Sequence, residues 1–269
     1  DWKANTTHFW PGRGKELKFF AISADQATYG TGEGPEVADS KVSINDERTQ
    51  MTVTDFTVDP SAPDTDLMVA DYVEAKQKEA DTESNTVNFT FRHALTKVQF
   101  LFRNTETSMP VYVQQMYVEG INTVADLTVN GALGGTTMTW GTPESPALFA
   151  GDYAPAATLE TLNATPAENI SAWNSAVTID PANYMELTDQ YVPFTTWLVI
   201  PQDVFVADTK DLKVTIAYVI ESATETRQFI STFSLGSANV VPTWNQNQYV
   251  KYNINLTPNI IGFDATVED

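Results

Sequence analysis

Asn88-Phe89-Thr90-Phe91-Arg92-His93-Ala94-Leu95-Thr96-Lys97-Val98-Gln99-Phe100 is the stretch whose reading decides the fold. Phe89 and Phe91 alternate with Asn88, Thr90 and Arg92, and Val98 and Phe100 alternate with Lys97 and Gln99. A period of two places every second side chain on one face, so each half reads as a strand with one apolar and one polar side. Phe102 extends the second face. Phe89, Phe91, Val98, Phe100 and Phe102 are expected to fill one core, with His93-Ala94-Leu95-Thr96 as the connection.

The same alternation runs outward in both directions. Leu17 to Ile22 reads as a strand covered on both faces, and 49–58 and 67–73 follow. Beyond residue 100, strands are expected at 111–119, 124–130, 136–140, 193–200, 212–220, 225–234, 247–256 and 259–267. In 247–256, Val250, Tyr252, Ile254 and Leu256 share a face. These runs are rich in Val, Ile, Thr, Tyr and Phe, as strands prefer. Asn130-Gly131 is a two-residue turn signal, and 221–225 is a polar link between two strands. Asp71 to Ala80 reads as a charged, solvated excursion. One helix is expected from Thr165-Pro166-Ala167-Glu168 through Trp173, where threonine can cap and proline suits the first turn. Many short strands and almost no helix argue for an all-β sandwich or barrel.

The 269 residues suit one large or two ordinary domains. The polar stretch Arg103-Asn104-Thr105-Glu106-Thr107-Ser108-Met109-Pro110 separates two strand-rich halves. It places an N-terminal domain at 1–107 and a C-terminal domain at 108–269, the latter with a long excursion near 141–191.

Thirty-five acidic and fifteen basic residues leave a formal charge of −20. Such a surface repels phosphates, which argues against nucleic acid and anionic membranes as partners. No apolar run approaches the roughly 20 residues of a membrane helix. The chain has no cysteine, which removes disulfides, thiolate nucleophiles and Cys-ligated metals. Only His8 and His93 are available as imidazoles, and His93 in an alternating run reads as a packing residue rather than a catalytic base. Asp55, Asp59, Asp64 and Asp66 gather carboxylates that calcium accepts, but without EF-hand spacing, so a solvated acidic loop is the expectation. No cofactor, metal site or catalytic residue is expected. Trp173 and Tyr184, in the 141–191 excursion, are the candidate glycan contacts, weighed against ordinary packing roles.

Several segments resemble the fimbrillin-like proteins of Bacteroidetes, the Mfa-like and FimA-like group of type V pilins. Phe9-Trp10-Pro11 with Glu16 to Ser23 is similar to that family's Trp-Pro segment, and Asp66-Leu67-Met68-Val69-Ala70 to one of its strands. Residues 88–100 resemble its most specific motif, carried here by Phe89, Phe91, His93, Leu95, Lys97, Val98 and Phe100. Trp244 to Tyr252 and Ile261 to Val267 resemble its C-terminal signature. The resemblance implies two transthyretin-like or immunoglobulin-like β-sandwich domains in tandem and a structural, non-enzymatic role. It further implies export as a lipoprotein with its signal upstream of Asp1, residence at the cell surface, outer membrane or fimbrium, and further strands ahead of the Trp-Pro segment. Partners would be other fimbrial subunits, joined by donor-strand exchange in cell adhesion. A stand-alone adhesin or tip subunit binding a glycan or host protein is the alternative. Ile261, Phe263, Ala265 and Val267 are the candidate donor strand, and pairing within its own domain is the reading weighed against it.

Overall fold

The computed structural model describes residues 15–25, 41–63, 65–76, 86–132, 134–152, 184–207, 209–223, 226–236, 241–257 and 261–268. Every regular element among them is a strand. The first half carries β1 (Glu16–Phe19), β2 (Ile22–Asp25), β3 (Val42–Ile44), β4 (Gln50–Thr57), β5 (Asp66–Ala70), β6 (Val73–Lys76), β7 (Phe91–His93) and β8 (Thr96–Arg103). Then come β9 (Val111–Asn130), β10 (Thr137–Trp140), β11 (Glu144–Asp152), β12 (Met185–Glu186) and β13 (Val192–Val199). The chain continues through β14 (Gln202–Asp203), β15 (Phe205–Val206), β16 (Lys210–Asp211), β17 (Lys213–Glu221) and β18 (Thr226–Ser234). It ends with β19 (Thr243–Trp244), β20 (Tyr249–Leu256) and β21 (Ile261–Glu268). The described part of the chain is all-β, as the periodicity predicts.

β9 organises the largest sheet. Its first half lies between β17 and the pair β11 and β12, and its second half between β4 and β10. The buried face switches twice along it, from Val111 and Val113 to Met116 and Val118, then to Ile121, Ala125, Leu127 and Val129. A bulge adds one residue and reverses which side chains point inward. The first switch sits opposite the register shift between Ala217 and Tyr218. The second sits at Gly120, where Glu119 and Ile121 face the consecutive residues Leu148 and Ala147. Gly120 has φ +85°, a left-handed conformation that glycine adopts without steric cost. The sequence therefore reads as two strands, 111–119 and 124–130, where the chain builds one.

A second sheet runs β13-β8-β20-β21, with β20 parallel to β8 and the other pairs antiparallel. Val98, Phe100 and Phe102 of β8 and Val250, Tyr252, Ile254 and Leu256 of β20 are fully buried, on the faces their alternation predicts. The two sheets meet where Phe149 of β11 packs on Trp197 of β13, ring centroids 5.5 Å apart, and Trp197 in turn contacts Phe100 at 5.1 Å. Smaller groups complete the fold: β1 with β6, β14 with β19, β15 with β16, and the three-stranded sheet β2-β5-β7.

Strand pairing crosses residue 107, where the sequence suggested dividing the chain. β4 pairs with β9, and β8 lies between β13 and β20. One hydrophobic cluster includes Val53, Leu67 and Phe100 together with Leu127, Trp197 and Tyr252. Residues 104–110 form a tied turn. The Asn104 side chain is buried; it donates to the Met109 carbonyl at 2.9 Å and accepts from the Glu106 amide at 2.9 Å. Polar composition with a proline looks the same in a linker and in a turn between paired strands, which is why the composition suggested a boundary.

Other local expectations are corrected. Only Phe91–His93 is strand in the 87–92 run, and Leu17 to Ile22 breaks into β1 and β2. Val73–Lys76, inside the supposed charged excursion, pairs with β1. Asn130-Gly131 opens a longer connection, since Asn130 pairs with Thr137. Gly131 is needed for close packing: a Cβ there would lie 2.5 Å from the Tyr72 ring. Within the 141–191 excursion, Glu144–Asp152 is a paired strand. The helix expected at 165–173 lies outside the described residues.

Candidate interaction surface on the three-stranded sheet

The sheet β2-β5-β7 carries the least covered apolar surface near the motif segment. Val69 and Leu67 of β5 point into the core with at most 1% exposure, while Met68 points the other way. Ile22 and Ser23 of β2, Val87, Phe89 and Phe91 join Met68 around a groove of about 760 Å³. Phe89 and Phe91 are 36% and 40% exposed. Their rings lie 6.3 Å apart, and Phe89 makes an edge contact with Phe19 at 6.2 Å. The expectation that these two phenylalanines fill the core is therefore overturned. Alternation tells which side chains share a face, but not whether another element covers that face.

The sheet under the groove is firmly tied. The Arg92 guanidinium bonds Asp71 and donates to the Thr136 carbonyl at 2.9 Å, and the Tyr72 amide donates to the Thr136 hydroxyl at 2.7 Å. His93 is not packed inside. It is an exposed ring whose Nδ1 bonds the Asp66 carboxylate. The phenol of Tyr72 donates to Glu74, and burial, followed by that bond, pushes its pKa up to about 12. Both outer strands are edges: β2 and β7 each pair only with β5 among the described residues. A sheet edge leaves backbone N–H and C=O groups facing outward, a template for an added strand.

The remaining candidates separate in space. Lys97 is exposed, whereas Leu95, Val98 and Phe100 are buried. β21 pairs with β20 over its whole length at the edge of its sheet, from Leu256 opposite Ile261 to Tyr249 opposite Glu268. Ala265 packs partly against the core and Val267 is 39% exposed. The side chains of Ile261 and Phe263 lie outside the described residues. So does Trp173, the candidate glycan contact. Tyr184, the other one, is 7% exposed, so its ring offers no open stacking face. Among the described residues no cluster of three or more His, Asp or Glu side chains could hold a metal. Asp59 accepts from Ser61 and Asp66 from His93, while Asp64 lies outside the described residues. No helix among the described residues is long and apolar enough to cross a membrane.

The sequence profile of the fimbrillin-like family matches residues 1–269, the whole chain. The chain belongs to the fimbrillin-like family. A fimbrial protein from Bacteroides vulgatus has a similar fold, with a TM-score of 0.53 at 18% identity over 97% of this fimbrillin-like chain and 79% of that one. A candidate cell adhesion protein from Bacteroides uniformis matches with a TM-score of 0.46 at 18% identity, over 94% of this chain and 72% of that one. Another from Bacteroides ovatus gives 0.46 at 14% identity, over 100% and 73%. None of the curated proteins matches. The sequence signals for this groove were Phe19, Met68 and Val87 beside the two phenylalanines. Met68 is the residue of the Leu67-Met68-Val69 run that breaks strict alternation, and that break is the one local hint of a second apolar face.

Proposed function

We propose that this fimbrillin-like chain is a non-enzymatic surface subunit of a fimbrium or adhesion assembly, joined to its neighbours by strand addition. The observation that carries the reading is the groove at Phe89 and Phe91, an exposed apolar trough bordered by the outer edges of β2 and β7, which pair with no further strand among the described residues. Exposed apolar patches of this kind mark interaction sites in soluble proteins. An incoming extended segment would use its backbone on a strand edge and its alternate side chains in the trough. Family membership and the fimbrial relative from Bacteroides vulgatus support the same role.

The donor in this scheme is residues 261–268 of the next subunit. Ile261, Phe263, Ala265 and Val267 alternate with Gly262, Asp264 and Thr266, the pattern an apolar trough accepts. β21 occupies a sheet edge, so its release opens one line of pairing and leaves β8 and β20 joined. Cell-surface placement and an upstream lipoprotein signal belong to the same proposal.

The test is polymer formation, followed by electron microscopy and light scattering after proteolytic maturation. Wild type forms filaments or oligomers. Joint Phe89→Ser and Phe91→Ser substitution abolishes them with little change in monomer stability, and deletion of 259–269 also stops assembly. Assembly that survives the double substitution refutes the groove. Assembly that survives the deletion refutes the donor.

A further inference from the structure

We propose that the concavity at the head of the β13-β8-β20-β21 sheet is a binding site for a carboxylated sugar residue. It lies apart from the apolar groove and does not rest on the assembly reading. Its walls are His93 of β7, Leu95 from the β7–β8 connection, Lys97 of β8, Leu198 of β13, Asn247, Gln248 and Tyr249 where the chain enters β20, and Glu268 at the end of β21. The space is about 380 Å³, within the range of small-molecule sites. The motif read as purely structural thus contributes three alternate residues, His93, Leu95 and Lys97, to one wall.

The chemistry is asymmetric. Two lysines approach the Tyr249 ring, Lys97 at 4.4 Å and Lys251 at 4.5 Å from its centroid. Lys251 is neutralised by Glu268, 2.6 Å away. Lys97 has no carboxylate partner among the described residues. It faces a concavity whose one lining carboxylate among the described residues, Glu268, is already held by Lys251. Such a group selects an anion, and a carboxylate accepts its N–H bonds.

The rest of the wall suits hydroxyls. Asp66 binds His93 at Nδ1, and an ionised carboxylate only accepts, so Nδ1 carries the proton. The other ring nitrogen, Nε2, is left to hydrogen-bond a hydroxyl, with the ring held in place by Asp66. Asn247 adopts φ +60°, which asparagine tolerates better than most residues, and its amide N–H is donated to the Leu95 carbonyl at 3.0 Å. That turn presents an exposed side-chain amide with both donor and acceptor atoms. Leu198 adds a half-buried apolar side. A bare carboxylate would use only Lys97, and a neutral sugar would forgo it. A ring bearing both hydroxyls and a carboxylate uses the whole wall.

The experiment is a titration of the full chain, followed by two-dimensional amide NMR, with glucuronic acid, glucose, acetate and a short peptide with a free C-terminus. Glucuronic acid is expected to give saturable shifts confined to residues near 93–97 and 247–249, with a Kd on the order of 1 mM. Glucose and acetate each bind about tenfold more weakly or not at all. Lys97→Gln loses about tenfold in affinity for glucuronic acid and falls to the level of glucose. Asn247→Ala weakens glucuronic acid and glucose alike. Both positions are exposed, and unchanged spectra elsewhere confirm folding. The proposal is overturned if glucuronic acid gives no shifts, or if Lys97→Gln binds it as well as wild type does. It is equally overturned if acetate or the peptide matches glucuronic acid, which would leave a simple anion contact.

Discussion

Phe100 of β8 stacks on Tyr252 of β20, ring centroids 5.0 Å apart and planes 15° from parallel, across the parallel pairing that sets the two residues side by side. Both are fully buried, and Trp197 closes over Phe100 from the neighbouring strand. This contact joins segments far apart in the sequence, so it reports on the tertiary fold and not on a local hairpin. Phe100→Ala should cost about 3–5 kcal/mol through lost burial and a residual cavity. Phe89→Ala, on the exposed groove, should cost under about 1 kcal/mol. Urea unfolding of the two variants checks the contrast. Similar losses at both sites would mean that Phe89 is covered in solution.

Tyr252 also has a polar duty. Its hydroxyl accepts the indole N–H of Trp244 at 2.9 Å, and both residues are fully buried. Tyr252→Phe keeps the ring stack but strands the indole donor away from water. The expected loss is about 1–3 kcal/mol, the cost of one buried unsatisfied group. The matching Trp244→Phe variant removes the donor at the expense of indole packing. In a double-mutant cycle the second loss should be smaller in the Tyr252→Phe background. Strict additivity would deny the coupling.

Gly131 offers a steric test. A Cβ there would lie 2.5 Å from Tyr72 Cδ2 and 2.9 Å from Phe20 Cζ, and those two rings are already packed with centroids 5.0 Å apart. Gly131→Ala must push the rings aside, so about 1–3 kcal/mol of destabilisation is expected. Tyr72→Ala clears the space, and Gly131→Ala in that background should cost far less. An undiminished penalty would place the strain in the backbone instead.

These contacts also show what could be read beforehand. The alternations in 96–103 and 249–256 identify the buried faces of β8 and β20 correctly, because a strand with one covered face must alternate. Partner choice was not legible. Nothing local says that β8 lies parallel to β20, or that β9 continues through Gly120 by spending one residue on a bulge. The candidate site failed to read for the same reason. Phe89 and Phe91 alternate as well as Val98 and Phe100 do, yet one face is covered by the rest of the molecule and the other is open. Coverage is a tertiary property, and periodicity carries no information about it. Tyr184 errs in the opposite sense: an aromatic in a weakly patterned segment suggested exposure, and it packs inside.

The tyrosines predict the response to base. Burial, then a hydrogen bond to Glu74, raises the Tyr72 hydroxyl to about 12. Burial, then a bond to Glu221, raises Tyr112 to about 12. Burial pushes Tyr252 up as well. In the unfolded chain each returns to the ordinary phenol value near 10. Between those values the folded state holds protons that the unfolded state has released, so stability must fall as pH rises. The contribution is complete below about pH 10 and is lost progressively as pH climbs toward 12. Phenolate absorbance at rising pH, measured alongside the urea midpoint, tests this. A fraction of the tyrosines should titrate late and together with unfolding, and Tyr112→Phe should flatten the decline. If all phenols ionise near pH 10 while the midpoint stays constant, the hydroxyls of Tyr72, Tyr112 and Tyr252 are solvated and the packing around them is looser than these contacts require.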